Sequence, residues 1–138
     1  MKSLLFKITH GGWNAELQLA ANHTLEHLAY TILEAVGFEA DHAFGFYDDL
    51  KNPYRSKERY SLLADEDDES EEGSVQNTLI GEVFQPKKKM IFLFDYGDDW
   101  LFLVHCTAEK EEKPFKKPKI LSTSGEAPVQ YPDHEEES

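Results

Sequence analysis

Two short apolar runs constrain the fold of this chain more than any other feature of its sequence. Residues 90–94 and 101–104 are apolar at every position, and the acidic segment 95–100, which contains a single glycine, separates them. Strands that are apolar on both sides are typical of the interior of a sheet whose two faces are covered. We therefore predict two adjacent central strands, at about 88–95 and 99–107, joined by a turn at the edge of the sheet.

The N-terminal segment predicts a β-hairpin. Apolar residues alternate with polar or small residues over 4–8 and again over 13–19, and Gly11 and Gly12 lie between the two segments. When apolar and polar residues alternate, the apolar side chains all lie on one side of the strand, which can then face a core. A glycine pair favours a tight turn, so we predict that the two segments are neighbouring antiparallel strands.

An amphipathic helix is predicted after this hairpin. Between Leu25 and Val36 the apolar positions fall three or four residues apart, which gives the segment one apolar stripe. Thr24 is placed to cap the N-terminus of the helix, and Gly37 is placed to end it in a left-handed conformation. Both boundaries of the predicted helix therefore have a local cause.

Shorter signals complete the predicted fold. An aromatic strand is predicted at 42–47, a loop up to about Gly73, a short helical turn at 78–84 and a last strand at 118–123. With the central pair and the hairpin, this order indicates an α+β fold. We predict a largely antiparallel sheet of about five to six strands with one main amphipathic helix packed across it, all within a single domain over residues 1–138.

The net charge of −13 is concentrated in two segments. Residues 65–72 contain seven acidic residues and residues 133–137 contain four, with no Lys or Arg in either. The remaining 16 acidic and 14 basic residues leave a net charge of only −2. We therefore expect a solvated acidic loop at 64–74 and an acidic tail at 133–138, which are available to dock a basic protein. Direct nucleic-acid binding is not expected, because affinity for phosphates comes mainly from clustered cations.

The sequence carries neither a membrane-spanning signal nor a signal peptide. The longest apolar stretch is too short to cross a bilayer, and residues 1–7 lack the apolar core and cleavage site of a secretory leader. The single cysteine, Cys106, lies inside the second apolar run and has no disulfide partner, so we expect a buried, inert thiol. We expect a cytoplasmic protein without a membrane partner, and the sequence carries no signal for its oligomeric state.

The acidic turn carries the candidate functional site, which consists of His42, Asp95, Asp98, Asp99 and Trp100. Carboxylates together with an imidazole can hold a divalent cation and activate water, so one interpretation is a metal-dependent hydrolase. No phosphate-binding loop, nucleophile elbow, paired zinc-ligand motif or cofactor motif accompanies these residues.

The competing interpretation assigns the same residues to the local structure of the turn. Asp95 and Asp98 then accept hydrogen bonds from backbone N–H groups, and Gly97 supplies a positive φ. In this interpretation Trp100 packs on the core and His42 bonds only a backbone group. Both interpretations remain open at this point.

Four stretches of the sequence resemble a known family. They are residues 24–28, 36–46, 94–100 and, more weakly, 125–133, and they follow the family's order and spacing. The family is the plasmid-borne ORF-three-like family named from a root-inducing plasmid of the pRiA type, also labelled insertion-element passenger or TnpR-like. The resemblance implies the α+β fold derived above, and it implies no settled biochemical activity.

The chain departs from the family pattern at several polar positions. Asn14 and Ala15 follow Trp13 where the family usually has two arginines, and Phe102 stands where a histidine is common. Residues 129–134 replace a cysteine and paired glycines that the family has near its C-terminus. A site that depends on those groups is therefore not expected in this chain.

Several aromatic residues in loop or turn contexts favour recognition of another molecule, because exposed aromatic residues beside charges are typical of binding surfaces; the set is Tyr47, Tyr54, Tyr60, Tyr96, Tyr131 and Trp13. The competing interpretation, that these residues fill the core, stays open at this point. We therefore predict a non-catalytic protein-interaction module that binds a basic protein. The alternatives are the metal-dependent hydrolase at the acidic turn and, more weakly, an acidic mimic of nucleic acid.

Overall fold

The computed structural model describes residues 1–62 and 73–131. Within these residues the strands are β1 (Lys2–His10), β2 (Trp13–Ala20), β3 (Phe44–Tyr47), β4 (Arg59–Ser61), β5 (Gly73–Ser74), β6 (Lys89–Phe94), β7 (Trp100–Glu111) and β8 (Lys119–Ser124), and the α-helices are α1 (Leu25–Val36) and α2 (Ile80–Val83). The strands form one sheet in the order β5-β4-β3-β6-β7-β1-β2-β8. Of the strand pairs in this part of the chain, only β4 and β5 are parallel. The predicted α+β class and the largely antiparallel sheet are confirmed.

The two central strands pair as predicted. β6 and β7 are antiparallel, with Phe94 opposite Trp100, and they lie in the middle of the strand order. β6 is buried on both faces from its second residue onward, whereas β7 alternates and leaves Leu101 37% exposed. The expectation that both strands are covered on both faces is therefore wrong for β7. β3 is the neighbour of β6 in the sheet. On the outer face of the sheet, the hydroxyl groups of Tyr47 and Tyr96 lie close above Gly45 of β3.

The main helix begins and ends where the sequence indicates. The Thr24 Oγ1 accepts a hydrogen bond from the His27 N–H at 3.2 Å, and the His27 Nδ1 accepts one from the Thr24 N–H at 3.0 Å. Gly37 has a φ of 81°, which is the left-handed conformation expected after a helix. Histidine thus occupies the position that glutamate or glutamine usually has in a capping box.

The core lies between α1 and the inner face of the sheet. The helix buries the stripe Leu25, Leu28, Ala29, Thr31, Ile32, Leu33 and Val36. Phe92 of β6 is fully buried, and its ring centroid is 5.1 Å from that of Phe46 and 6.0 Å from that of Phe102. Cys106 is also fully buried, which confirms the predicted burial of the thiol, and this burial raises its pKa to about 11, so that the protonated form is favoured.

Two strands lie where the sequence predicts a loop. β4 has three residues and β5 has two, and segments this short do not develop a visible alternation. The sheet therefore has more strands than the five to six predicted. The aromatic strand begins at Phe44 rather than at residue 42, while the last strand is confirmed as β8.

The acidic segments fall mostly outside the described residues. Of the predicted acidic loop at 64–74, only Gly73 and Ser74 are described, and they form β5. The acidic tail at 133–138 lies outside the described residues altogether.

Neither α1 nor α2, the α-helices of the described part, has the length and apolarity needed to span a bilayer.

Candidate functional site

The turn between β6 and β7 is built around the Asp95 carboxylate. Its Oδ1 accepts hydrogen bonds from the N–H groups of Gly97 and Asp98 at 3.1 and 3.3 Å, as the turn interpretation predicts for Asp95. The positive φ values belong to Asp95 (66°) and Asp99 (51°), so the expectation that Gly97 supplies the positive φ is wrong. Aspartate tolerates this conformation because its short side chain can bond to the nearby backbone.

His42 reaches the side chain of Asp95 and two further side chains. The His42 Nε2 lies 2.8 Å from the Tyr131 hydroxyl, 3.5 Å from Asp95 Oδ2 and 3.8 Å from Asp41 Oδ1. The Tyr131 hydroxyl donates its own proton to Asp41 Oδ2 at 2.6 Å, so the His42 Nε2 must carry the proton of the contact with Tyr131. The expectation that His42 bonds only a backbone group is therefore wrong.

The segment after β8 brings Tyr131 to this position. Gln130 accepts a hydrogen bond from the Glu39 N–H at 2.7 Å, and its amide donates to the Glu39 carbonyl and to Asp41 Oδ1, each at 3.1 Å. Gln130 and Tyr131 thus fasten the C-terminal segment to the loop that follows α1. Asp41 and Gln130 are absent from the residues predicted for the site, although both lie in stretches that carry the family resemblance.

Asp99 faces a different partner from Asp95. Its Oδ1 accepts a hydrogen bond of 2.6 Å from the Tyr54 hydroxyl, and Asp98 is exposed. Of the three aspartates in the turn, Asp95 alone has a contact with His42 within 4 Å. Over residues 1–62 and 73–131, no group of three or more His, Cys, Asp or Glu side chains is arranged to hold a metal ion.

Hydrogen bonds shift the pKa values of three side chains at this end of the sheet. The bond from the Tyr131 hydroxyl is the main reason why the pKa of Asp41 lies below its ordinary value. The same bond raises the pKa of Tyr131 to about 12, and the bond to Asp99 raises the pKa of Tyr54 to about 12. At neutral pH, Asp41 is therefore ionised and both tyrosines keep their protons.

Trp100 packs on the core as the turn interpretation predicts. Its ring contacts Phe38 edge-on, with the two centroids 4.9 Å apart, and a tilted contact with His10 follows at 5.5 Å. The Trp100 Nε1 is buried without a hydrogen-bond partner, so the side chain acts here through its apolar surface.

The turn links these contacts at one end of the sheet, because the N–H groups of Asp98 and Asp99 both donate to Asp95. We refer to Asp41, His42, Tyr54, Asp95, Asp98, Asp99 and Tyr131 as the turn-end surface. The structure brings His42 to Asp95 among the predicted site residues, and it adds Asp41, Tyr54 and Tyr131 to them. The chemical capacity of this surface lies in ionised carboxylates and phenol groups, most of which are accessible from solvent.

An open, largely antiparallel sheet with one main helix on its inner face and a hydrogen-bonded acidic turn at one end defines a small α+β protein. Within that class, the chain belongs to the plasmid pRiA4b ORF-3-like protein family, whose sequence model matches residues 13–131. The resemblance noted in the sequence is thereby confirmed.

A solved structure shares this fold. The chain is similar to a protein of unknown function, MM3350, from Methanosarcina mazei Go1, with a TM-score of 0.75 and 17% sequence identity. The similarity covers 94% of this chain and 72% of that chain, and it shows the fold alone. Among curated proteins, none matches the sequence.

Proposed function

We propose that this protein acts by binding a basic partner protein, and that the turn-end surface is the docking site. The observation that carries the proposal is the combination, on one end of the sheet, of ionised carboxylates with two exposed tyrosines. Neither component alone defines a partner. Together they favour a ligand that offers both cationic side chains and apolar contact area.

Over residues 1–62 and 73–131, the carboxylates of this surface have His42 as a neighbour but no lysine or arginine partner. Asp41, Asp98 and Asp99 are exposed, and within the described residues none of them lies within 4 Å of a Lys or Arg nitrogen. Grouped carboxylates without counter-charges produce a negative potential that attracts and orients a cationic partner. Lysine or arginine side chains of a partner are therefore the complementary groups.

The two tyrosines supply the contact area. Tyr54 is 58% exposed and Tyr131 is 50% exposed, although each donates a hydrogen bond to an aspartate of the surface. A tyrosine held in this way offers a large apolar ring at a low cost in conformational entropy, and the ring face also attracts cations. The hydrogen bonds therefore preorganise the surface for a basic ligand.

The acidic runs at 65–72 and 133–137 add charge of the same sign to the chain. In this proposal they increase the rate of encounter with a basic protein, which is the usual effect of long-range charge. A cytoplasmic location is part of the same proposal. Deletion of residues 65–72 is expected to weaken capture of the partner while leaving the free energy of unfolding nearly unchanged.

Site-specific photo-crosslinking tests the location of the docking site. A photoreactive phenylalanine analogue replaces Tyr54, Tyr131 or, as the matched control, Tyr30, which is 42% exposed on α1. We expect adducts with a basic protein from positions 54 and 131 and none from position 30. Equal labelling from all three positions, or adducts with acidic proteins only, would contradict the proposal.

A charge-neutralised variant separates electrostatic docking from simple proximity. Asp98→Asn together with Asp99→Asn removes two charges from the surface, whereas Glu34→Gln removes one exposed charge from α1. We expect the adduct yield to fall several-fold in the double variant and to stay unchanged in the control. Added salt should lower the yield of the unmodified protein in the same direction.

A further inference from the structure

A β-bulge interrupts the pairing of β1 with β7. Leu5 lies opposite Ala108, and Phe6 lies opposite Cys106, so Thr107 is an extra residue on β7. The Thr107 hydroxyl donates a hydrogen bond to the Leu5 carbonyl at 3.3 Å. A bulge of this kind bends its strand and redirects the side chain of the extra residue.

A second bulge interrupts the pairing of β2 with β8. Glu16 lies opposite Ser122, and Leu17 lies opposite Ile120, so Leu121 is an extra residue on β8. Leu121 is 49% exposed. Bulges are common at sheet edges, but they are also common beside binding sites, where they re-aim particular side chains.

The two bulges are at the same level of the sheet and enclose a pocket. In the β1–β2 pair, Phe6 lies opposite Leu17, which aligns the two irregular positions. The pocket has a volume of about 290 Å³, and both extra residues, Thr107 and Leu121, line it. This volume is just below the range of about 300–1,000 Å³ that is usual for small-molecule sites, so the pocket suits a small ligand.

The lining combines leucine side chains with one charge of each sign. Leu5 and Leu121 are its apolar residues on the outer face, whereas Lys7 and Glu16 are exposed at its rim. Lys7 lies directly opposite Glu16 in the β1–β2 register. No ion pair within 4 Å joins these two residues or involves either of them in the described part of the chain.

We infer that this double-bulge pocket binds a small aliphatic zwitterion of the branched-chain α-amino acid class. The alkyl group contacts Leu5 and Leu121, the carboxylate pairs with the Lys7 ammonium, and the ammonium pairs with the Glu16 carboxylate. The assignment uses both charges of the rim and the apolar lining between them, which is the usual division of roles in a small-molecule site. It is independent of the turn-end surface, because the two sites share no residue.

Titration with L-leucine, monitored by NMR, tests the assignment on the full-length protein. At ~20 mM, enough to populate even a millimolar site, we expect amide shifts in the pocket residues Leu5, Lys7, Glu16, Thr107 and Leu121. The matched probes are 4-methylpentanoate, which lacks the ammonium, and 3-methylbutylamine, which lacks the carboxylate. Each should bind about three- to ten-fold more weakly than leucine. No shifts with leucine, or equal affinity for one of the singly charged probes, would overturn the assignment.

Variants identify which groups carry the binding. Thr107→Trp fills the pocket and should abolish the shifts, while Lys7→Met should remove the preference for leucine over the amine. Lys89→Met and Leu101→Ala are the controls, because neither residue lines the pocket. If the controls lose binding as strongly as the pocket variants do, the shifts do not come from this site and the assignment is wrong.

Discussion

At the end of the sheet where α1 begins, backbone groups bond mainly to backbone groups, whereas at the turn end the contacts join side chains. At the first end, the Ile80 N–H donates to the His23 carbonyl at 2.8 Å, and the Leu25 N–H donates to the Thr78 carbonyl at 3.0 Å. We call this the cap end. At the turn-end surface, the corresponding bonds run from tyrosine hydroxyls to the carboxylates of Asp41 and Asp99.

The difference separates a structural framework from the surface that we propose as the docking site. Buried backbone hydrogen bonds are costly to break, because the donor and the acceptor are then left unpaired where water does not reach them. Bonds between exposed side chains exchange with water at little cost. The cap end therefore fixes the position of α1 and α2, while the turn end keeps groups that a partner can engage without disturbing the fold.

Removal of one histidine from each end tests this comparison with the largest expected effect. His23 is buried, its Nδ1 accepts from the Ala20 N–H at 2.9 Å, and its Nε2 lies 2.9 Å from the Lys116 carbonyl. We expect His23→Ala to lower the free energy of unfolding by about 2–4 kcal/mol, because it leaves a buried donor unpaired. His42→Ala, at a side chain that is 41% exposed, should cost about 0.5 kcal/mol. Urea denaturation measures both values, and equal costs would break the comparison.

Substitution of a glycine at the turn end should have the next largest effect. Gly125 has a φ of 83°, and a Cβ there would collide with the Gly12 carbonyl, whereas a Cβ on Gly12 would meet open space. Gly125→Ala should therefore cost about 1–3 kcal/mol through backbone strain. Gly12→Ala, the control, should stay within about 0.5 kcal/mol of the unmodified protein. If the two variants have the same denaturant midpoint, the proposed backbone strain in the segment after β8 is wrong.

These comparisons also show what the sequence can and cannot predict. The hairpin and α1 follow from periodic patterns longer than five residues, and the central strands follow from two apolar runs separated by a short acidic turn. β4 is set by pairing with β3, and β5 by pairing with β4, rather than by their own two or three residues.

The candidate site was predictable only in part, for a similar reason. The Asp95 carboxylate accepts a hydrogen bond from the backbone of its own turn. This bond is local, and the residue types of the turn predict it. The contact between His42 and Tyr131 joins residues 89 positions apart, and no local pattern encodes it. The positive φ at Asp95 instead of Gly97 depends on the hydrogen bonds made in the folded turn.

A smaller effect is expected at the cap of α1. Thr24→Ala removes the hydroxyl that accepts from the His27 N–H, so it should cost about 1 kcal/mol. Thr24→Ser keeps the hydroxyl and should cost much less. Thermal unfolding followed by circular dichroism compares the two variants, and an equal loss in both would show that the cap bond does not contribute.

The smallest effect is a pH dependence at the turn end. The raised pKa of Tyr131 means that its bond to Asp41 contributes fully below the ordinary value of 10 and is lost as the pH rises through about 12. The lowered pKa of Asp41 means that the contribution is also lost on the acid side, as the pH falls below the ordinary value of 3.8.

The carbonyl carbon of Glu39, whose oxygen accepts a hydrogen bond from the Gln130 amide, reports this contact by carbon-detected NMR, because it carries no exchangeable proton. In the unmodified protein its shift should change above pH 10, whereas in Tyr131→Phe the alkaline change should disappear. Tyr54→Phe removes another tyrosine whose pKa is raised to about 12 but leaves Gln130 untouched, so it should keep the change. An alkaline change that persists in Tyr131→Phe would rule out the proposed bond as its cause.

NMR mapping of a lysine-rich peptide on the full-length protein tests the central claim most directly. The account predicts salt-sensitive shifts concentrated at the turn-end surface, at residues 41, 42, 54, 98, 99 and 131, with little change at the cap end. A response confined to the acidic runs at 65–72 and 133–137, with the turn-end surface unchanged, would contradict the claim that this surface is the docking site.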